Sequence, residues 1–443
     1  MNELPFHAKS LLVVVLCLVV QGRSTADDKR EAKIAKDKAT FQTKAGWLYN
    51  DLEGAYATAK ETGKPIMAVL RCIPCEECVK LDDDLIDNDP IIASLTKEFV
   101  RLRLTSTNGL DLTTFQYDTD QSFAVFFLNA DKTVYGRFGT RSHRTEWVTD
   151  VSVQGMAQAM EGALALHRKY PSNRKQLTAK SQQPTLYATP EQFPTLRKKP
   201  GELNWQGRDF AKVAAKNCIH CHEISEARME AYWQRGKVIP DEILYPYPHP
   251  KAVGLILDPD FRARVVKVLK DSPSASAGLQ PGDDILRMNG QPLISMADVQ
   301  WVLHHLSAGG EQVQLLVRRN EKLEKLTMEL LPGWRNRDDT SWRTGHWILR
   351  RSFLGGMKLA GGSALEPPRQ LTVQSVGTWG PFGVANRAGV KKGDIVTAVD
   401  GHREFERESD VFEYVNLNKK SGDQITMTLE RNGKQVEVRY QIR

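Results

Sequence analysis

One sequence pattern occurs twice in the C-terminal half of the chain, and it limits the possible folds more than any other feature. Residues 277–290 match residues 388–401 without a gap, and the copies lie 111 positions apart (277 to 388). Each copy has small residues and Gly-Asp, then an apolar run, then Asn-Gly or Asp-Gly, which is typical of a strand ending in a tight turn. Spacing of this size indicates a duplicated domain rather than a solenoid.

The same order of elements follows each copy. Helical patterns occupy Met296–Leu306 and Asp410–Leu417, and alternating patterns then predict hairpins near 313–330 and 425–442. Together with the Gly-Asp motif, this order resembles the PDZ domains of HtrA-type proteases. The resemblance implies two β-rich PDZ-like domains, at 251–332 and 351–443, with a connector at 333–350.

The PDZ resemblance also implies a binding function. PDZ domains bind an extended peptide along a sheet edge and often capture its C-terminal carboxylate, so the expected partners are exported proteins or peptide C-termini. PDZ modules that only pack or dimerise are the alternative. The residues expected to contact a peptide are Gly254, Leu255 and Ile256 in the first copy and Gly355, Gly356 and Met357 in the second.

The resemblance to HtrA proteins does not extend to their protease part. The chain has no Gly-x-Ser-x-Gly stretch, and its N-terminal half does not have the pattern of a double β-barrel. We therefore predict that the chain is not a serine protease.

The first residues predict export. Lys9 ends a short polar opening, and Leu11–Val20 is an unbroken apolar run. Ser24 and Ala26 then stand at the small-residue positions before a cleavage site, which completes the layout of a secretory signal peptide. An apolar run this short does not span a bilayer. We predict a signal peptide at 1–26 and a periplasmic or secreted chain with no further membrane segment; an uncleaved anchor is the alternative.

Charge and cysteine content narrow the classes of function. The net charge is +7 over 443 residues and the basic residues are dispersed, so nothing indicates nucleic-acid binding. Beyond the apolar run the cysteines form two tight groups, a spacing that suits redox or metal chemistry better than scattered disulfides. The groups are Cys72, Cys75 and Cys78, and Cys218 and Cys221.

Strand and helix patterns alternate around the first cysteine group. Apolar residues recur at helical spacing from Leu48 to Ala59, a buried strand is predicted at Ile66–Leu70, and a hairpin and a last helix follow. Residues 46–170 thus resemble the thioredoxin-like family, an α/β sandwich in which the attacking cysteine begins a helix. The charged residues 27–45 predict a flexible or helical lead-in, and the Pro-, Gln- and Ser-rich residues 171–203 predict a linker.

The thioredoxin-like resemblance implies candidate redox thiols at Cys75 and Cys78, with Cys72 as a third partner, and hence thiol-disulfide activity. Two glutamates between Cys75 and Cys78 are expected to raise the pKa of the thiol and slow its attack. Phe123 stands where the family has a cis-proline facing the cysteines. A structural disulfide or an inert scaffold is therefore the alternative.

The second cysteine group carries a more specific signal. Residues 218–222 read Cys-Ile-His-Cys-His, the CxxCH attachment motif of c-type cytochromes. The resemblance implies thioether bonds from Cys218 and Cys221 to the haem vinyl groups and His222 as the proximal iron ligand. It predicts a short helical haem-c segment at 204–250, with covalent haem c as the cofactor.

The distal haem ligand and two other chemistries stay open. His249 is the predicted distal ligand, and Met229 is less suitable because it lies so close in sequence. A zinc site or a plain disulfide at the CxxCH motif are the alternatives to haem.

The sequence therefore predicts a multidomain α+β protein with a thioredoxin-like sandwich, a short haem-c segment and two PDZ-like domains. Two functions fit this order of parts. One is an exported electron-transfer or redox-sensing protein that recruits a redox partner through its PDZ domains. The other is a non-enzymatic peptide-binding scaffold with a structural thioredoxin-like domain.

Overall fold

The computed structural model describes residues 26–42, 46–71, 73, 89–121, 123–140, 150–180, 184–197, 210–360 and 370–443. They form an N-terminal domain, a helical segment and two C-terminal domains of similar architecture, called the first and second repeat domains. Residues 1–25 of the predicted signal peptide and the first cysteine group lie outside the described residues.

The N-terminal domain is built on a five-stranded mixed sheet. Its strands are Trp47–Tyr49 (β1), Ile66–Arg71 (β2), Val100–Leu104 (β3), Phe123–Leu128 (β4) and Val134–Thr140 (β5). Their order is β1-β3-β2-β4-β5, with β2 parallel to β3 and antiparallel to β4. Because β2 is central and covered on both faces, all its residues are buried. The described helices are Ala26–Gln42 (α1), Leu52–Thr62 (α2), Pro90–Leu95 (α3) and Val153–Arg168 (α4).

The start of this domain differs from the sequence prediction. Residues 47–49 form a strand parallel to β3, and the helix begins only at Leu52. Asp51 caps that helix by accepting a hydrogen bond from Gly54 N, and Gly63 ends it in a left-handed conformation. Apolar residues recur at helical spacing across both β1 and α2. This spacing alone therefore does not show where the strand ends and the helix begins.

The predicted lead-in and linker both pack onto the N-terminal domain. The lead-in is helix α1, and its Ile34 and Phe41 share a buried cluster with Tyr49 and Ile73. Within 171–203, Arg174–Leu177 forms α5, and Leu177 and Phe193 are almost completely buried in the domain's core clusters. The described part of residues 171–203 therefore belongs to the N-terminal domain and is not a flexible linker.

The helical segment lies between the N-terminal domain and the repeat domains. Its helices are Phe210–Asn217 (α6), Cys221–Trp233 (α7) and Asp241–Leu244 (α8). One face of α7 places Ile224 and Ala227 in the core of the N-terminal domain, while Met229 and Trp233 join the core of the second repeat domain. Helix α7 thus connects two cores that are distant in sequence.

The first repeat domain contains two small sheets and a helix packed against them. Its strands are Leu255–Leu257 (β6), Val265–Val268 (β7), Asp284–Met288 (β8), Gln291–Pro292 (β9), Gln312–Arg319 (β10) and Lys322–Glu329 (β11). Its helices are Pro273–Ser276 (α9) and Met296–His304 (α10). The sheets are β6-β7 and β11-β10-β8-β9.

The second repeat domain follows helix Trp347–Ser352 (α11) and repeats this plan. Its strands are Met357–Leu359 (β12), Val373–Val376 (β13), Ile395–Val399 (β14), Gln424–Arg431 (β15) and Lys434–Gln441 (β16). Its helices are Val384–Arg387 (α12) and Glu408–Asn418 (α13). Both residues of Asn289-Gly290 and of Asp400-Gly401 have positive φ, as the predicted tight turns require.

Within the described ranges, none of the helices is both long and apolar enough to cross a bilayer.

Candidate functional site

The CxxCH motif lies on the surface of the N-terminal domain, where α6 ends and α7 begins. Loop 105–121, which follows β3, holds its backbone. Asn108 Oδ1 accepts a hydrogen bond from Ile219 N at 2.8 Å, and Thr107 Oγ1 donates to Ile219 O at 2.7 Å. Ile219 itself is 1% exposed and belongs to the core of the domain. The central residue of the motif, Ile219, therefore anchors the motif to this domain.

The two sulfur atoms face hydroxyl groups of the same loop. Cys218 Sγ donates to Ser106 Oγ at 3.3 Å, and Tyr117 Oη donates to Cys221 Sγ at 3.1 Å. No disulfide joins Cys218 to Cys221. The loop thus contacts both thiols as well as the backbone between them.

Burial controls the chemistry of Cys221. It raises the pKa of the thiol to about 11, although the hydrogen bond from Tyr117 opposes the shift. Because the thiolate is the attacking species, this group is a poor nucleophile at neutral pH. Thiol-disulfide exchange at Cys221 is accordingly disfavoured in the folded state.

His222 is half-buried and stacks on His220, with ring centroids 5.7 Å apart and an interplanar angle of 11°. It also lies close enough to influence the buried carboxyl of Asp120 electrostatically. Burial raises the pKa of Asp120, while the nearby Arg343 opposes that shift. The imidazole therefore stands between a half-open surface and a buried charged cluster.

The buried cluster ties the connector between the repeat domains to loop 105–121. Arg343 Nη1 lies 2.8 Å from Asp118 Oδ1 and 3.3 Å from Asp120 Oδ2, and all three side chains are at most 2% exposed. Gly345 N donates to Asp120 Oδ1 at 2.7 Å. One loop therefore contacts both the CxxCH motif and the connector, which joins parts of the chain that are remote in sequence.

The predicted distal ligands lie in other surroundings. His249 Nδ1 accepts from Lys251 N at 3.2 Å, and His249 Nε2 is 3.5 Å from Asp150. Met229 packs in the core that includes Trp233 and the second repeat domain. Across the part of the chain that the structure describes, no three His, Cys, Asp or Glu side chains are grouped to bind a metal ion.

The predicted peptide-contacting residues begin the first strand of each repeat domain. Gly254 has a φ of 84° and ends a 3-10 turn, and Leu255 is fully buried while Ile256 is half-buried. Gly355 and Gly356 also have positive φ, and Met357 is fully buried. Both loops therefore have the tight glycine turn that leads into a short strand.

The N-terminal domain contacts the helix of the first repeat domain. Lys180 Nζ forms an ion pair with Asp298 at 2.7 Å, and both side chains are 1% exposed. The Arg137 guanidinium lies 3.6 Å from the ring centroid of Trp301. Ser152 Oγ donates to Pro259 O at 3.1 Å, beside the end of β6. Helix α10 and the β6–β7 turn are thus both held by the N-terminal domain.

The second repeat domain has its corresponding helix bound by its own strand. Leu359 N, in β12, donates to Glu408 Oε1 at 2.9 Å, and Glu408 N donates to Ala360 O at 3.2 Å. Glu408 also forms an ion pair with Arg350 at 2.5 Å, with both side chains 1% exposed. The edge of β12 is therefore partly occupied by this carboxylate.

Family models match the three domains separately. The thioredoxin-like model matches residues 47–130, and the PDZ model matches residues 244–330 and 354–442. The chain carries one thioredoxin-like domain and two PDZ domains. The first repeat domain is PDZ domain 1 and the second is PDZ domain 2.

Curated relatives resemble only part of the chain. A probable periplasmic serine endoprotease DegP-like protein of Pseudomonas putida (strain W619) is 40% identical over 89 residues, which is 20% of this chain and 18% of that protein. The periplasmic serine endoprotease DegP of Escherichia coli (strain K12) is 28% identical over 145 residues, or 33% of this chain and 28% of that protein. The chain thus spans well under a third of these relatives.

Solved structures of the HtrA-type protease AlgW also match in part. The complex with a decapeptide is 29% identical, covers 15% of this chain and 20% of that chain, and has a TM-score of 0.15. The complex with a tripeptide is 15% identical, covers 30% and 52%, and has a TM-score of 0.16.

Sequence reasoning missed the partners of the predicted residues. Ser106 and Tyr117 contact sulfur atoms more than 100 positions away, and no local pattern points to them. The polar run Thr105-Ser106-Thr107-Asn108 directly after a buried strand was the one available signal. The contact of Glu408 with β12 could not be predicted, because Glu408 occupies an ordinary first-turn helix position.

Proposed function

We propose that this chain is an exported redox protein that carries covalent haem c at its CxxCH motif and recruits a protein partner through its PDZ domains. The observation that carries this proposal is the motif itself, held intact on the thioredoxin-like domain beside Ser106 and Tyr117. The periplasmic DegP-like relatives support an exported location, as does the predicted signal peptide.

The residues present fit haem c in their chemistry. Cys218 and Cys221 would hold it through thioether bonds and His222 would bind the iron, since no disulfide joins the cysteines and the histidine is half-open to solvent. The bound group would supply one-electron exchange at its iron. His249 is engaged with Asp150 and Lys251, so the proposal assigns only His222 as a ligand.

The chain's own residues have supporting roles. Asn108 and Thr107 fix the backbone at Ile219, so the two cysteines keep one spacing and orientation. The carboxylate of Glu223 accepts a hydrogen bond from His220 N at 2.8 Å and fixes the start of α7 next to His222. Asp120 places a buried acidic group near His222.

The direct test is a pyridine haemochrome spectrum of the full chain coexpressed with a c-type maturation system. We expect a c-type spectrum that is absent from the Cys218→Ser, Cys221→Ser variant. The Ser106→Ala variant is the matched control, because it changes a sulfur contact without removing an attachment site. A wild-type protein that folds without covalent haem would reject the proposal.

A second function, a partner-binding scaffold without redox chemistry, is favoured by a specific observation. Burial raises the pKa of Cys221 to about 11, which makes this thiol a poor nucleophile at neutral pH. The scaffold would bind peptide C-termini at Gly254–Ile256 or Gly355–Met357. Two results together would establish it. The wild-type protein would contain no haem, and the Cys218→Ser, Cys221→Ser variant would bind the peptide as tightly as the wild type does.

A zinc site at the same motif lacks support from the ligand geometry. Within the described ranges no cluster of three or more Cys, His, Asp or Glu side chains is placed to bind a metal. Zinc requires four ligands in a structural site, and the four candidates of the motif, Cys218, His220, Cys221 and His222, are not grouped in that way. Metal analysis of the haem-free protein would detect bound zinc directly.

A further inference from the structure

A cleft of about 610 Å³ lies between the thioredoxin-like domain and PDZ domain 1. Helix α4 forms one wall, and strands β8, β9 and β10 with residues 261–264 form the other. The proposed haem site and the predicted peptide-contacting residues of both PDZ domains are not among its lining residues. The cleft is thus a separate surface, and what it binds does not depend on the proposed function.

The charged residues of the cleft are almost all cationic. Asp284 is the only carboxylate among the lining residues, and it is shared by Arg264 at 2.8 Å and Arg318 at 2.7 Å. One carboxylate therefore faces two guanidinium groups. The five cationic lining residues are Lys169, Arg262, Arg264, Arg287 and Arg318.

Three of these cations have no carboxylate within 4 Å in the described part of the chain. Arg262 Nε donates to the carbonyl of Gln158 at 3.1 Å, and Arg287 Nη1 donates to the Gln176 side chain at 2.8 Å. Lys169 is exposed at the cleft. Arg262 is also half-buried, and burial lowers its pKa, although the nearby carboxylates of Glu161 and Asp284 oppose that shift.

The cleft also has an apolar floor. Leu166, Leu286 and Leu316 line it and are half-buried rather than fully enclosed. Phe261, at 38% exposure, lies under the Arg264 guanidinium at 3.5 Å from the ring centroid. A small inorganic anion would use the cations alone and leave this apolar surface in water.

We propose that the cleft binds an acidic peptide segment of a partner protein, with carboxylates on Lys169, Arg262 and Arg287 and apolar side chains on the leucine floor. The excess of positive charge selects for acidic ligands and speeds their association, and the apolar floor adds affinity. The chain would then hold a partner at a second point, away from the PDZ peptide strands, which raises avidity without new contacts there.

The test uses the full chain and a fluorescein-labelled peptide Glu-Leu-Glu-Glu-Leu-Glu with an amidated C-terminus. Amidation removes the carboxylate that a PDZ loop captures, so binding reports the cleft. In fluorescence anisotropy we expect saturable binding that weakens as salt is raised. The Arg262→Gln, Arg287→Gln variant should bind about tenfold more weakly, since it loses two ion pairs that are partly shielded from water.

Two further variants keep the test decisive. The Lys322→Gln, Lys434→Gln variant removes the same charge from exposed hairpin positions outside the cleft and should bind as the wild type does. Lys169→Glu changes an exposed side chain at the end of α4, and we expect a clear loss of affinity with the free energy of unfolding little changed. An equal loss in the hairpin variant, or unchanged binding in Lys169→Glu and the cleft variant, would overturn the proposal.

Competing ligands separate the peptide from other anions. The peptide Glu-Ser-Glu-Glu-Ser-Glu with an amidated C-terminus has the same charge and should bind more weakly than the leucine-containing peptide, because it cannot use the floor. Inorganic pyrophosphate should not displace the peptide at equal concentration. Equal binding of the serine-containing peptide, or displacement by pyrophosphate, would contradict the assignment to an acidic peptide with apolar side chains.

Discussion

The two PDZ domains share a core but differ in what holds their binding helix. In both, an arginine of the hairpin anchors the Gly-Asp turn: Arg319 lies 2.7 Å from Asp283, and Arg431 lies 2.7 Å from Asp394. Helix α10 of PDZ domain 1 is fastened to the thioredoxin-like domain through Asp298, whereas α13 of PDZ domain 2 is fastened to its own strand through Glu408. Duplication thus preserved the fold and changed the partner of the helix.

One fold therefore serves two different tasks in the same chain. PDZ domain 1 uses a helix as a docking surface for another domain, and the contact is a buried ion pair. PDZ domain 2 uses the equivalent region to close the edge of β12. Substitutions in one PDZ domain, or at matched positions in both, can test this difference.

The largest effect is expected from Lys180→Met. This change leaves the Asp298 carboxylate buried without its cation, which costs about 3–5 kcal/mol. We expect a lower free energy of unfolding in urea, with hydrogen exchange increased in α10 and β5 but not in α13. The exposed Lys97→Met is the control, and Lys180→Met combined with Asp298→Asn should recover part of the loss. Increased exchange in both PDZ domains would contradict independent docking.

Glu408→Gln tests the corresponding contact of PDZ domain 2. The amide still accepts from Leu359 N, but the buried Arg350 loses its counter-charge, so we expect a loss of about 3 kcal/mol confined to PDZ domain 2. Urea unfolding with domain-resolved hydrogen exchange measures it. Glu404→Gln changes an exposed carboxylate nearby and should be neutral. A loss that spreads to α10 would show that the two helices are coupled.

Acid should weaken PDZ domain 1 through His304 and His305. Burial is the main cause that lowers the pKa of His304 well below its ordinary 6.5 and that of His305 to about 4. Since the unfolded chain takes up these protons first, the stabilisation is fully present above pH 6.5 and is lost as pH falls toward 4. The slope is at most about 1.4 kcal/mol per pH unit for each histidine.

His304→Asn measures this contribution. Counted from the helix caps Ser295 and Arg407, Asn416 is the residue that PDZ domain 2 has at this position. We expect the variant to lose less stability than the wild type between pH 7.5 and pH 5, as followed by thermal unfolding. An unchanged pH dependence would assign the acid sensitivity to other groups.

The smallest effect is expected from the matched pair Arg319→Gln and Arg431→Gln. Each removes an ion pair in which the arginine is partly exposed and the aspartate is buried, so the loss should be about 1 kcal/mol in either copy. Urea unfolding of the two variants compares them directly. Losses that differ by much more than this would mean that the two cores are not equivalent.

Patterns of short range made much of the fold predictable. The Gly-Asp motif and the Asn-Gly and Asp-Gly turns gave both PDZ domains, and the buried strand Ile66–Arg71 gave the centre of the thioredoxin-like sheet. The strand at Trp47–Tyr49 was missed because a three-residue strand is too short to show its own period. The CxxCH motif could be identified for the same reason as the turns, because its residues are adjacent in the sequence.

The surroundings of the candidate site were not predictable, because they are assembled from distant residues. Lys180 meets Asp298 across 118 positions, and Ser106 meets Cys218 across 112. Lys180 also lies in a segment whose composition indicates a linker. Burial of a lysine there depends on the tertiary contact itself, and no local sequence pattern encodes it.

The ion cluster at loop 105–121 makes the N-terminal domain depend on a residue that lies far downstream in the chain. Asp118 and Asp120 meet Arg343, which follows them by 225 and 223 positions. Until Arg343 is in place the two carboxylates lack this counter-charge, and burying them without it is costly. The thioredoxin-like domain therefore completes its folding after most of the chain has been made. A chain that ends before residue 343 therefore leaves the loop that supports Cys218 and Cys221 without this contact.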